Sequence, residues 1–253
     1  MTITKPTVTN SFTANTLAKA SEVNANFTDL LNEFEDNGYI AKGWIAIDNA
    51  SFEYHASNAI KTTADVDLTG LLQVGDKLTF EQATDGEKFF FITAIDYNST
   101  VANRTYVQLA AGTDYDVDNE AITANTLGFS RKERPWGFPN SFDYVPTYTG
   151  FSGTPTTNLA TFTIVGGICH VYLRVSGTSN ATNLKVSLPV PVKSGVTFVS
   201  ANFQSIDNGT KQSGPGAVFN NSSTEVTIDK TVSTSAWTAS GNKQANGQFS
   251  YPI

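Results

Sequence analysis

Charge is scarce in this chain of 253 residues: Asp, Glu, Lys and Arg make up 15% of it, against roughly a quarter in ordinary globular proteins. Cysteine is nearly absent. Cys169 stands alone, which excludes an intrachain disulfide framework and any zinc centre of the multi-cysteine kind. Clustered cations are scarce as well: the one basic run, Arg131-Lys132-Glu133-Arg134, is broken by an acid and followed by Pro135-Trp136, so it reads as a solvated linker rather than a phosphate site. With a formal net charge of -7 and a pI near 4.8, neither nucleic acid nor an anionic membrane is expected as a partner. No apolar run approaches the length of a membrane span, and Met1-Thr-Ile-Thr-Lys-Pro6 has neither the apolar stretch nor the cleavage site of a secretion signal. The expectation is a soluble protein without a cleaved leader, so the Asn-x-Ser/Thr triplets at Asn26, Asn98, Asn180 and Asn221 carry no weight as glycosylation sites.

What the chain does have is Thr, Asn, Ser and Gly in abundance, together with 17 Phe, 9 Tyr and 3 Trp. That palette suits pleated, turn-rich β-structure and excludes disorder, which calls for few aromatics and high charge. The length allows one large or two smaller β-units with real cores.

The N-terminal segment is different. Ala20, Val23, Phe27, Leu30 and Phe34 recur at alternating three- and four-residue steps, the spacing of a helical seam. Ser21 is placed to cap the helix, Glu22 sits where the helix dipole favours an acid, and Asn37-Gly38 supplies the pair that ends it. Isolated helices of about 15 residues are marginal in water. The seam therefore needs a partner, and other copies of the chain or a docking protein are the expected ones; Ala20, Val23, Phe27, Leu30 and Phe34 are the candidate oligomerisation or docking residues.

From Tyr39 onward the pattern is short and alternating. Strands are expected at 44–47, 52–56 and 59–63, within 71–80 on either side of a turn at Gly75-Asp76, and at 89–95, 105–110, 115–117 and 122–127, divided by Asp/Asn/Gly/Ser clusters about ten residues apart. The stretch from Ser130 to Asn140 is the best domain boundary. Beyond it, strands are expected at 160–165, 168–175, 184–188, 196–204, 225–228 and 248–251, with a tight hairpin at Val165-Gly166-Gly167-Ile168 and an edge or exit at Leu188-Pro189-Val190-Pro191. The expected fold is mainly β: an arm and helix over 1–38, a small antiparallel barrel or sandwich over 39–130, and a jelly-roll-like antiparallel sandwich over 131–253. No solenoid or propeller period is visible.

Chemistry-bearing motifs are few. Cys169 and His170 are neighbours in an alternating run, so on a strand they point to opposite faces, Cys169 inward and the row His170, Tyr172, Arg174 outward. Asp114, Asp116, Asp118 and Glu120 fall at every second position. They depart from an EF-hand loop, because Asn119 stands where the turn glycine belongs and Asn125 where the bidentate glutamate belongs; an acidic strand face followed by a turn at 118–120 is the expectation. No phosphate loop, dinucleotide fingerprint, nucleophile elbow or His-Glu-x-x-His occurs, Ser213-Gly-Pro-Gly216 reads as a turn, and no cofactor or metal is expected. Trp136, Tyr144, Tyr148, Trp237 and Tyr251 could anchor a ligand, although a β-core with few leucines needs aromatics of its own.

Two segments carry a resemblance. Phe12-Thr-Ala-Asn-Thr-Leu-Ala-Lys-Ala-Ser-Glu-Val-Asn-Ala-Asn-Phe27-Thr-Asp-Leu30 resembles the opening helix of tailed-bacteriophage tail and fibre proteins. Tyr144-Val-Pro-Thr-Tyr-Thr-Gly-Phe-Ser-Gly153, Val165-Gly-Gly167, Gly177-Thr-Ser179 and Ser187-Leu-Pro189 are similar to C-terminal β-sandwich modules of such fibres; Val74-Gly-Asp-Lys-Leu78 and Phe89-Phe-Phe-Ile92 are similar, less specifically, to small β-domains between those parts. The resemblance implies a homotrimeric, non-enzymatic structural protein of the virion, made in the bacterial cytoplasm: a tail fibre, baseplate or tail appendage docked to other virion proteins by its N-terminus, with the C-terminal sandwich facing a host glycan or surface protein. A head fibre or capsid decoration protein is the alternative, and a glycan-processing enzyme with a site at a subunit groove is the third reading. The long repetitive shaft of a typical fibre is missing.

Overall fold

The computed structural model describes residues 21, 23–28, 42–113, 116–123, 127–196, 198–212, 216–231 and 235–253. These residues are mainly β, in antiparallel sheets. Residues 23–28 are helical, which puts Val23 and Phe27 on one helix face; Ala20, Leu30 and Phe34 lie outside the described residues.

The first sheet is built from β1 (Ile45–Ala46), β2 (Phe52–Ala56), β3 (Ala59–Thr62), β4 (Lys77–Gln82), β5 (Gly86–Tyr97), β6 (Thr105–Ala110) and β7 (Gly128–Ser130), in the order β1-β7-β4-β5-β6-β3-β2. Its two edges, β1 and β2, are joined by residues 47–51 alone. Seven strands laid flat would set their edges about 29 Å apart, whereas such a link reaches about 20 Å. The sheet must therefore curl, and beside the link lies a cavity of about 80 Å³ lined by Ile47, Phe52, Ile122 and Leu127. Inside the curl lie Ile60, Leu72, Leu78, Phe80, Phe90, Ile92, Val107, Leu109 and Phe129, all buried.

The second sheet contains β8 (Phe142–Asp143), β9 (Tyr148–Thr149), β10 (Thr157–Val165), β11 (Ile168–Thr178), β12 (Lys185–Ser187), β13 (Phe198–Asp207), β14 (Thr210–Lys211), β15 (Gly216–Ser222), β16 (Glu225–Asp229) and β17 (Asn242–Pro252). Its path runs β8-β10-β11-β17-β13-β15-β16-β12-β9, with β14 beside β13. Again the ends are consecutive in sequence: β8 pairs with β10 through Phe142 and Phe162, β9 pairs with β12 through Tyr148 and Val186, and only residues 144–147 separate them. The Tyr148 hydroxyl donates to Asn158 Oδ1 of β10 at 2.5 Å across the join. The sheet is thus rolled around its own core.

Alternation sets the two faces. On β11, Cys169, Val171, Leu173 and Val175 are buried while His170, Tyr172 and Arg174 face out, as the sequence pattern requires. Burying each such aliphatic side chain contributes about 1.5–3 kcal/mol as an upper bound. The expected hairpin is present: Val165 pairs with Ile168, and Gly166 and Gly167 take φ of 58° and 76°, a conformation that side chains other than glycine's strain to adopt.

The two sheets share an aromatic joint. Phe90 and Ile92 of β5 point into the first core, while Phe91, between them, belongs to the second. Its ring centroid lies 4.9 Å from Phe138, 5.6 Å from Phe142 and 6.3 Å from Phe162. The run Phe89-Phe90-Phe91-Ile92 is continuous because β5 is covered on both faces. The Gly75 turn also rests on the hairpin, where a Cβ would come within 3.1 Å of Gly167 N, and Thr113 N donates to Asp143 O at 3.1 Å.

The segment between the sheets is more firmly held than a solvated linker. Its Arg131, Lys132, Glu133 and Arg134 are exposed, yet Pro135 is buried. Lys132 O accepts from Lys77 Nζ at 2.9 Å, Arg131 Nε donates to Asp76 Oδ1 at 3.3 Å, and Phe138 packs edge-on to Phe89 and Phe142. Backbone groups, the Arg131–Asp76 ion pair and one phenylalanine anchor the segment, while Lys132, Glu133 and Arg134 are left exposed.

Candidate binding surface

The outward face of the second sheet gathers the most varied chemistry. Register places Asp143, Thr161, Tyr172, Gln248 and Asn202 in one row across β8, β10, β11, β17 and β13. The next rows hold Thr163, His170 and Ser250, and Leu159, Arg174, Asn246 and Gln204. Tyr172 is 40% exposed and Leu159 45%. The Tyr172 hydroxyl donates to Asn246 Oδ1 at 3.1 Å, which fixes the ring on the sheet. Ser141, Thr161, Thr163, His170, Tyr172, Gln248 and Ser250 line a shallow groove of about 250 Å³. This face offers the Tyr172 ring, an imidazole, several amides and hydroxyls, and one guanidinium: donors and acceptors for a polar ligand, with Leu159 exposed beside them.

A Ser/His pair does meet in this groove. His170 Nδ1 lies 2.8 Å from Ser250 Oγ, because the two residues are directly opposed in the β11–β17 register. Acyl-transfer chemistry would also need a group orienting the ring and backbone donors aimed at an oxyanion. Among the described residues Ser250 is the one hydrogen-bond partner of the His170 ring, and the backbone N–H groups here belong to the ladder. The geometry is that of a cross-strand hydrogen bond.

The other residues singled out from the sequence are placed as follows. Cys169 is fully buried, its thiol pushed up to about 12 by burial. Of the aromatics, Trp136 is 74% exposed and Tyr148 half-buried, whereas Tyr144, Trp237 and Tyr251 belong to the second core. The Trp237 indole donates to Ile228 O at 2.7 Å and the Tyr251 hydroxyl to Val190 O at 2.9 Å, so their polar ends are used inside.

The acidic stretch is not a strand among its described residues, contrary to the pattern. The side chain of Gln82 takes the place of a ladder partner, donating to Asp118 O at 2.9 Å and accepting from Asp118 N at 3.0 Å, and Glu120 N closes the turn onto Asp118 O at 2.8 Å. A lysine fills the position a cation would take. Lys88, 2% exposed, donates to the Asp118 carboxylate, to Asp116 O at 2.6 Å and to Asp85 at 2.9 Å. Burial opposes its charge, but the Asp118 and Asp85 hydrogen bonds outweigh that and leave its pKa raised.

Two further buried charges had no sequence signal. Lys243, with no exposed surface, donates from Nζ to the carbonyls of Gly150, Ala181 and Asn183 at 3.0, 2.8 and 2.7 Å, beneath the rings of Phe151 and Trp237. Burial pushes its pKa down to about 8. Asp207 accepts from Lys230 Nζ at 2.7 Å and from Thr238 N at 3.0 Å and Oγ1 at 3.0 Å. Burial acts to raise its pKa, and these partners more than offset it. Both groups tie loops to the end of the second sheet. Comparison of the chain with protein-family models, curated proteins and solved structures finds no match.

Proposed function

We propose that this chain is a non-enzymatic structural component of a bacteriophage particle, a homotrimeric tail fibre or tail appendage that docks by its N-terminal segment and presents the second sheet toward the host surface. In that reading 1–38 is the assembly element, 39–130 a small β-spacer and 131–253 the outward-facing sandwich. The observation that carries it is the exposed helix face: Phe27 is 60% exposed, and among the described residues neither β-core includes Val23 or Phe27. An apolar stripe on a short helix needs cover, and self-association supplies it. The outward face around Tyr172, with groups that hydrogen-bond and stack but no assembled catalytic set, supports a contact role over a chemical one. Light scattering of the purified full chain tests the assembly: a mass three times the 27.2 kDa of one chain is expected. A monomer whose mass and stability ignore Val23→Ser and Phe27→Ser would overturn it.

A further inference from the structure

Trp136 is the most exposed of the large apolar side chains among the described residues, and neither sheet's core accounts for it. Its backbone is pinned from both directions: Trp136 N donates to Lys42 O at 2.7 Å, and Trp136 O accepts from Trp44 Nε1 at 2.8 Å. Gly137 follows with φ of 83°, at a position where a Cβ would come within 2.8 Å of the Phe89 ring. The indole is therefore held out on a rigid stalk.

Cationic residues flank it along the chain and across the backbone contact to Lys42. Lys132 lies over Gly43, where a Cβ would meet its Cδ at 2.9 Å and Pro135 Cα at 3.3 Å, so Lys42, Lys132 and Trp136 occupy one corner of the molecule. Arg134 is exposed beside them, and Glu133 is the one acid within the run. On a chain of net charge -7 this is a local reversal of sign. At physiological ionic strength charges beyond roughly 8 Å are largely screened, so an approaching anion responds to this corner more than to the whole.

We propose that this corner is a binding site for a carboxylated polysaccharide, in which Trp136 stacks on a pyranose ring while Lys132, Arg134 and Lys42 meet the carboxylates. A protein partner fits less well. Protein hot spots sit within a contiguous apolar patch, and among 131–137 Trp136 is the only exposed large apolar side chain. A sugar needs one flat ring and a few point charges. The site does not depend on the particle reading, since a monomer would carry it.

Polygalacturonate is the probe, with dextran as the neutral control and polyglutamate as the acidic-peptide control. Trp44 and Trp237 are each 2% exposed, so a blue shift of the red edge of tryptophan emission reports Trp136. Saturable binding of polygalacturonate, by that shift and by calorimetry, is expected, with no response to dextran. Trp136→Ala and the pair Lys132→Ala with Arg134→Ala are each expected to weaken calorimetric binding at least about tenfold, and Trp136→Phe to retain most of it. These side chains are exposed, and circular dichroism checks that the variants fold. No response to polygalacturonate, unchanged affinity in Trp136→Ala, or equal affinity for polyglutamate would each overturn the assignment, the last in favour of an acidic protein segment.

Discussion

Phe91 is the side chain through which the two sheets depend on each other, and its truncation tests that dependence. Its backbone belongs to β5 of the first sheet, while its ring is fully buried in the second core against Phe138, Phe142 and Phe162. Phe91→Ala removes a ring from a site bounded by strands on two sides, which have little freedom to collapse into the space. Buried Phe→Ala substitutions cost about 3–5 kcal/mol, and the lost aromatic contacts, each about 0.5–1.5 kcal/mol, are already part of that figure. Urea unfolding should show the midpoint falling by that amount divided by an unchanged slope. Hydrogen exchange read by mass spectrometry should show faster opening in β4 and β5 and also in β11 and β17. A loss below about 1 kcal/mol, or faster exchange confined to the first sheet, would refute the shared joint.

Other outcomes follow from the buried charges. Lys243→Met leaves Asn183 O without another donor among the described residues, while Gly150 O keeps Asn180 N and Ala181 O keeps Ser179 Oγ; a loss of about 2 kcal/mol at pH 7 is expected by urea unfolding. Because the folded lysine titrates near 8 against an ordinary 10.5, the unfolded chain holds a proton the folded one has released between those values. Wild-type stability should thus rise across that window relative to Lys243→Met. Asp207 follows the same sign at the acid end: its lowered pKa contributes stability that is complete above the ordinary 3.8 and drains as the pH falls through the folded value. Asp207→Ala should cost about 3 kcal/mol at pH 7 and flatten the acid limb of the stability profile. Cys169 should resist a thiol reagent in native buffer and react at the unfolding rate in urea, since burial both hides the thiol and raises its pKa.

Local pattern made much of the β-structure legible. Thr105–Ala110 and Phe52–Ala56 match their expected spans because one face of each strand is covered and burial alternates along most of it. β7, β8 and β9 are two or three residues long, too short for any periodicity, and β15 begins where Ser213-Gly-Pro-Gly216 signals a turn. The closure of the second sheet rests on β8 meeting β10 while β9 meets β12, pairings that no single segment encodes. His170, Tyr172 and Arg174 were readable as an outward row, but their neighbours Gln248, Asn246 and Asn202 come from strands far along the chain. Lys243 illustrates the limit: a lysine in a polar Asn/Gln-rich strand reads as exposed, and only the convergence of three loop carbonyls makes its burial stable.

The measurement that bears most directly on the account is the location of this chain on an intact particle. Phage particles purified from a host producing the chain, labelled with gold-conjugated antibody against it and imaged by electron microscopy, are expected to carry label at the tail or baseplate, in multiples of three copies by quantitative mass spectrometry. Particles free of the chain, with all of it recovered in the soluble fraction, would contradict the proposal.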